Sequence, residues 1–201
     1  MTAPFIAGFL LSISLILPIG AQNAFVLRIG LRGEHVLAVC LTCALSDAVL
    51  ILAGVSGFAQ LSARVPWIET VLLYGGAAFL LAYGARNFRA ALGSASLRPS
   101  DAAPESLGRV LLTCLALTWL NPHVYLDTLV LIGSISTQYG EGKGWFAAGA
   151  TLASFIFFFC LGFGARLLKP LFAKPVTWRI LDVVIGLIMW ATAAKLLLDQ
   201  G

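Results

Sequence analysis

The sequence predicts an all-α integral membrane protein: six transmembrane helices forming two inverted three-helix repeats. Three observations lead there. Of 201 residues, 60% are apolar and 11% charged, with a mean hydropathy of +0.95, whereas a soluble domain carries about 25% charge. Six stretches, residues 3–27, 36–59, 65–85, 110–133, 145–165 and 180–198, match the roughly 20 residues that a ~30 Å hydrocarbon core demands. Pro18 and Pro122 interrupt the first and fourth stretches at corresponding places. Lipid satisfies no backbone polar group, so the spans must be helices; a barrel would need alternating strands of about ten residues.

The first stretch lacks a basic leading region and runs past any cleavage site, so it reads as a retained span. Compactness and the lack of a presequence point to a bacterial cytoplasmic membrane. Orientation follows from the basic residues. Arg28 and Arg32 follow span 1, Arg86, Arg89, Arg98 and Arg109 separate spans 3 and 4, and Arg166, Lys169, Lys174 and Arg179 separate spans 5 and 6. Only Arg64, Lys143 and Lys195 of the thirteen basic residues fall on the other side. The positive-inside rule then puts loops 1–2, 3–4 and 5–6 in the cytoplasm and both termini outside. The net charge of +4 is accordingly a topology signal and not a nucleic-acid footprint. Trp67, Trp145 and Trp178 each open a span, as interfacial anchors do. Cys40, Cys43, Cys114 and Cys160 all lie within spans, which reads as packing and not as a disulfide framework; neither a metal nor a cofactor is expected.

"GSASLRPSDAAPES" (residues 93–106) is the one linker. It divides a single domain, 1–201, into repeat one (1–90) and repeat two (109–201), with a cytoplasmic linker at 91–108. In "LPIGAQN" and "LNPHVYLD" a proline is followed five residues later by Asn23 or Asp127. Trp67 and Gly75 match Trp178 and Gly186, again eight apart. An odd number of spans per half inverts the second half. Inverted repeats with helices broken at corresponding positions, here Pro18 and Pro122, point to a transporter site near the midplane.

Asn is a preferred N-cap and Pro a preferred first helical residue, so span 4 should stop near Trp119 and restart at Pro122. The restarted end should offer unpaired N–H groups to a carboxylate. Asp127 lies roughly 8 Å further along at 1.5 Å per residue, a separation suited to a small solute with a carboxylate and a cationic group. His123, four residues before Asp127, shares its face; it either relays protons or holds Asp127 still. Asp47 sits mid-span, on the face of Cys40, Cys43 and Gly54 and opposite Leu41, Leu45 and Leu52. That small-residue face should meet other helices, so Asp47 points into the bundle. Each mid-span aspartate costs about 2.5–3.5 kcal/mol on insertion, and intramembrane ionisable groups are functional by default; an inter-helix hydrogen bond is the structural alternative for Asp47. Gly20 permits close backbone approach. Gln22 and Asn23 either hydrogen-bond a solute or satisfy backbone freed by Pro18. Glu69 and Asp182 sit near span ends as ordinary interfacial carboxylates. Phe155, Phe157, Phe158 and Phe159 read as packing and lipid contact, and Gly75–Ala78 as a helix-packing patch.

On "PIGAQNAFVLRIGLR", "CALSDAVLILAG" and "LTWLNPHVYLDTLVLIGS", the sequence resembles the LysE-type lysine/arginine exporters across essentially its whole length. The resemblance implies export of basic amino acids across the cytoplasmic membrane. It also implies that Asp47 and Asp127 are the family's intramembrane acids and that Pro18 and Pro122 mark its paired broken helices. Ala21 stands where relatives often carry a second proline, and "NPHVYLDT" leans toward the arginine-exporter branch. On that footing L-arginine or L-lysine enters from the cytoplasm, displaces protons from Asp47 or Asp127, and leaves outside as the two repeats rock. Two other classes share part of this pattern. A membrane thiol oxidoreductase needs cysteines beside Pro18 and Pro122, and the neighbours are Leu17, Ile19, Asn121 and His123. An intramembrane hydrolase would use Asp47 and Asp127 as an acid pair and needs them in contact.

Overall fold

A computed structural model describes residues 2–18, 20–57, 66–92 and 105–198, and the side chains within these except for 66–72 and Ala173. The edges of the second and third predicted spans, Ile19, Arg64, Arg98, most of the 91–108 linker and the side chains of Trp67 and Glu69 lie outside the described residues. Within them every regular element is helical: α1 (Thr2–Ile16), α2 (Ala21–Arg32), α3 (Val36–Val55), α4 (Pro66–Leu92), α5 (Leu107–Trp119) and α6 (Pro122–Tyr125). A π-helical segment (Leu126–Ile132) leads into α7 (Gly133–Ser136), followed by α8 (Lys143–Gly164) and α9 (Pro175–Leu198). Three continuous helical runs are long and apolar enough to cross a membrane: α3, the 47 residues Pro122–Leu168, and α9. The α1–α2 pair makes a fourth if counted as one bent span. The long run turns at Gly140, whose φ of 49° and ψ of −119° leave the helix.

The first predicted span is two helices meeting at 84°, despite the single proline. α1 stops at Ile16, and the carbonyls orphaned there find a donor on the restarted helix: Asn23 Nδ2 donates to Ile16 O (2.7 Å) and Pro18 O (3.0 Å). Of the two roles open to Asn23, this is the backbone one. The fourth predicted span breaks after Trp119 as expected. Asn121 Oδ1 accepts from His123 N–H at 3.1 Å, with Pro122 in the first helical position. Across this break, Tyr125 Oη donates to Trp119 O at 2.7 Å. Thus Asn23 and Asp127, matched by register in the sequence, do different jobs: the residue that spans the second break is Tyr125. α2 ends on Gly33, with φ +79° and its N–H bonded to Ile29 O at 2.9 Å, the left-handed glycine stop.

The principal packings are α4 with α9, α1 with α8, α3 with α8, and α3 with the π segment. Backbones touch where glycines allow it. A Cβ on Gly8 would strike the Phe146 backbone, and one on Gly149 the Phe5 backbone, a reciprocal contact between α1 and α8. A Cβ on Gly133 would lie 2.7 Å from Gly54 O. α3 buries Cys40, Cys43, Asp47 and Gly54 while Leu45 and Leu52 face outward, as its small-residue face predicts. Cys40 Sγ donates to Phe158 O, and Cys43 Sγ lies 3.3 Å from Cys114 Sγ, so these thiols pack. The 75–78 patch is only half used: Gly76 abuts Leu120 O, whereas Gly75 is exposed with open space around it. Gly186, by contrast, is pressed against the Phe88 ring, so the Gly75–Gly186 match does not extend to contacts.

Asp182 is not an ordinary interfacial carboxylate. It is buried, and its Oδ1 pairs with Arg28 Nη1 at 2.8 Å; the same guanidinium reaches Asn87 Oδ1 at 2.5 Å. Beside it, Glu105 Oε1 takes Arg86 (3.1 Å) and Arg32 (3.5 Å). Arg28 and Arg32 therefore knit α2 to α4, α9 and the approach to α5. Removing one partner strands the other charge, and a fully buried pair broken this way costs about 3–5 kcal/mol. Arg28 and Asp182 keep partial solvent access, so Asp182→Ala should lower stability by about 1–2 kcal/mol, read as a lower melting temperature in detergent; an unchanged melt would show the pair to be idle.

Candidate functional site

One cavity of about 400 Å³ opens where the two helix breaks meet, within the range of small-molecule sites. Pro18, Gly20, Gln22 and Asn23 reach it from the first break, Asn121, His123 and Asp127 from the second, and Asp47 from the middle of α3. Eight of the nine residues singled out in the sequence thus share one space. Pro122 is the ninth. It does not line the cavity, and its ring edge lies toward Gly76 on α4.

The carboxylates differ in setting. Asp47 is 5% exposed and its Oδ2 accepts from Ser154 Oγ at 2.9 Å, joining α3 to α8. Asp127 is half-buried in the π segment, and among the described residues it holds no ion pair within 4.0 Å. π-helical turns are rare and cluster at functional sites; this one carries Asp127 into the cavity beside Thr128. His123 faces the same space, and its Nε2 is buried without a partner among the described residues. Ser12 Oγ and Gln22 Nε2 share that condition and also line the cavity. Buried polar atoms are nearly always hydrogen-bonded, so three unpartnered ones around one space suit it to a polar solute or to water.

The second break offers no seat for a carboxylate. Asn121 takes both nearby donors, its side chain the N–H of His123 and its carbonyl the N–H of Val124, each at 3.1 Å. The cap that restarts the helix also consumes the groups expected to bind an anion. Among the other cavity residues, four stand out that carry no signal of function in the sequence. Ser12 and Ser154 are lone hydroxyls in apolar helices, Phe158 looked like its lipid-facing neighbours yet is 2% exposed, and Lys195 counted only toward orientation. Thr192 and Lys195, spaced i,i+3 on α9 and both lining the cavity, are the pattern that could have revealed the last.

The family model of the LysE type translocators matches residues 13–200. The chain is 41% identical over 198 residues to the arginine exporter protein ArgO of Salmonella paratyphi A, covering 98% of this chain and 94% of that one. It is 45% identical over 182 residues to putative amino-acid transporters of Mycobacterium bovis and Mycobacterium tuberculosis, covering 90% of each chain. No solved structure matches it. With its apolar helices and a family match along nearly its whole length, this chain is a multi-pass membrane transporter, not an enzyme, and it belongs to the LysE type translocator family.

Proposed function

We propose that this protein exports basic L-amino acids, arginine and lysine, across the bacterial cytoplasmic membrane in exchange for protons. The observation that carries the reading is the convergence of both helix breaks and both intramembrane aspartates on one cavity. Two carboxylates on one cavity favour a solute bearing two cationic groups, and the Salmonella relative is named an arginine exporter. The architecture behind this reading is one domain of two inverted three-helix repeats, six spans in all, with the basic loops cytoplasmic and both termini outside. The pairing of α3 with α8 and α4 with α9 supports it, as does the similar packing of the two post-break halves, α2 on α8 and the π segment on α3. Export is alternating access by rocking of the repeats, with Asp47 and Asp127 exchanging protons for the solute.

Moving one positive charge outward costs about 2.3 kcal/mol per 100 mV of inside-negative potential. Proton entry offsets that cost. In proteoliposomes, radiolabelled arginine should show saturable counterflow against unlabelled arginine or lysine and none against a neutral amino acid. An acidic exterior should accelerate net efflux. Linear, unsaturable flux would mean a channel, and absence of counterflow would remove the exporter reading altogether.

A further inference from the structure

The exporter reading accounts for the cationic groups of the solute and leaves its carboxylate without a partner. The expected seat at the second break is filled by Asn121 itself. The remaining wall of the cavity supplies another. On α9, Ala191, Thr192 and Lys195 line the space that holds Asp47 and Asp127. Lys195 lies one turn before the end of α9 at Leu198, a position from which a lysine ordinarily snorkels to the interface; this one is exposed and also lines the cavity mouth. Among the described residues its ammonium has no carboxylate within 4.0 Å. Gln22 adds a buried amide N–H without a partner among the described residues, at the uncapped start of α2.

Resting on the exporter reading, we propose that Lys195 is a specificity-determining residue that binds the solute carboxylate, with Gln22 as its neutral helper. With both aspartates ionised, the cavity presents two negative charges and one positive. Arginine and lysine present the complement: two positive charges, on the side chain and the α-ammonium, and one carboxylate. Charges of both signs on the protein distinguish an amino acid from a plain polyamine, because a dication lacking the carboxylate would meet the like charge of Lys195 with nothing to offset it. Such unpaired charge is a strong source of discrimination. Asp127 and Lys195 share the cavity from different elements, so a bound amino acid lies between them.

The test compares L-arginine with L-argininamide, of nearly the same size and with the carboxylate replaced by a neutral amide, as competitors in proteoliposome counterflow. In the wild type, argininamide should compete at least tenfold more weakly than arginine. Lys195→Gln should raise the half-saturating arginine concentration at least tenfold and leave that for argininamide within twofold, so the preference collapses; Lys195→Arg should restore it. Equal competition by the two in the wild type would overturn the proposal even if the variants do not fold. So would an unchanged preference in Lys195→Gln, or an equal loss of both solutes, the latter marking a structural lysine. Wild-type protein with no arginine counterflow at all would instead fell the exporter reading.

Discussion

Asp47→Asn is expected to lower arginine export more than 100-fold while the protein folds normally. Asp47 is 5% exposed on the inward face of α3, with Ser154 donating to its Oδ2 at 2.9 Å. Asparagine keeps the shape and still offers an oxygen to Ser154, so the link from α3 to α8 survives. Only the charge disappears. Breaking a buried ion pair by removing one partner costs about 3–5 kcal/mol, and each 1.4 kcal/mol is a factor of ten in affinity. The loss should therefore appear in transport and not in the melting temperature, and Asp127→Asn should follow it. Undiminished efflux in both variants would sink the proton-exchange mechanism. A lowered melt in Asp47→Asn would instead assign the residue to holding the bundle together.

The second large effect is on stability. Gly149→Ala should destabilise the protein by about 3 kcal/mol or more, the upper range for overpacking. A Cβ there meets the carbonyl, carbonyl carbon and Cα of Phe5, and one on Gly8 meets the same atoms of Phe146. Backbone cannot swing aside as a side chain can, so α1 and α8 must separate. α1 carries Ser12 and Ile16 to the cavity wall and α8 carries Ser154, so transport should fall along with the melt. Gly75→Ala is the control. Nothing lies within 4 Å of its Cβ, and alanine gains up to about 1 kcal/mol over glycine in a helix. If Gly149→Ala and Gly75→Ala melt alike in detergent, the reciprocal contact carries no weight.

What the sequence made legible was whatever depends on local order. Hydropathy located the helices, Asn121–Pro122 the second break, and the small-residue spacing on α3 the direction of Asp47. The two breaks gather eight candidate residues around one cavity, the kind of space that paired broken helices enclose. Pairings between distant elements were hidden. Asp182 looked solvated because nothing near it in the chain shows that Arg28 returns to meet it. Lys195 reads from the sequence only as a charge on one side of the membrane, because a helix end says nothing about which way its side chain leans. The carboxylate seat expected at Asn121 is filled for a subtler reason: the residue type that signals a helix start is the one that uses up the helix's free donors.

The side chains that reach back across the breaks bear on how such a protein can move. Asn23 holds Ile16 O and Pro18 O, and Tyr125 holds Trp119 O. Swinging either elbow open would strip these bonds from part-buried groups, at about 1–3 kcal/mol for each group left unsatisfied. The bends therefore behave as welded corners and not as hinges. Any compliance is left to surfaces that slide, such as the face of α4 against α9, and a probe of backbone amide exchange should find the bent segments slower than their irregular shape suggests.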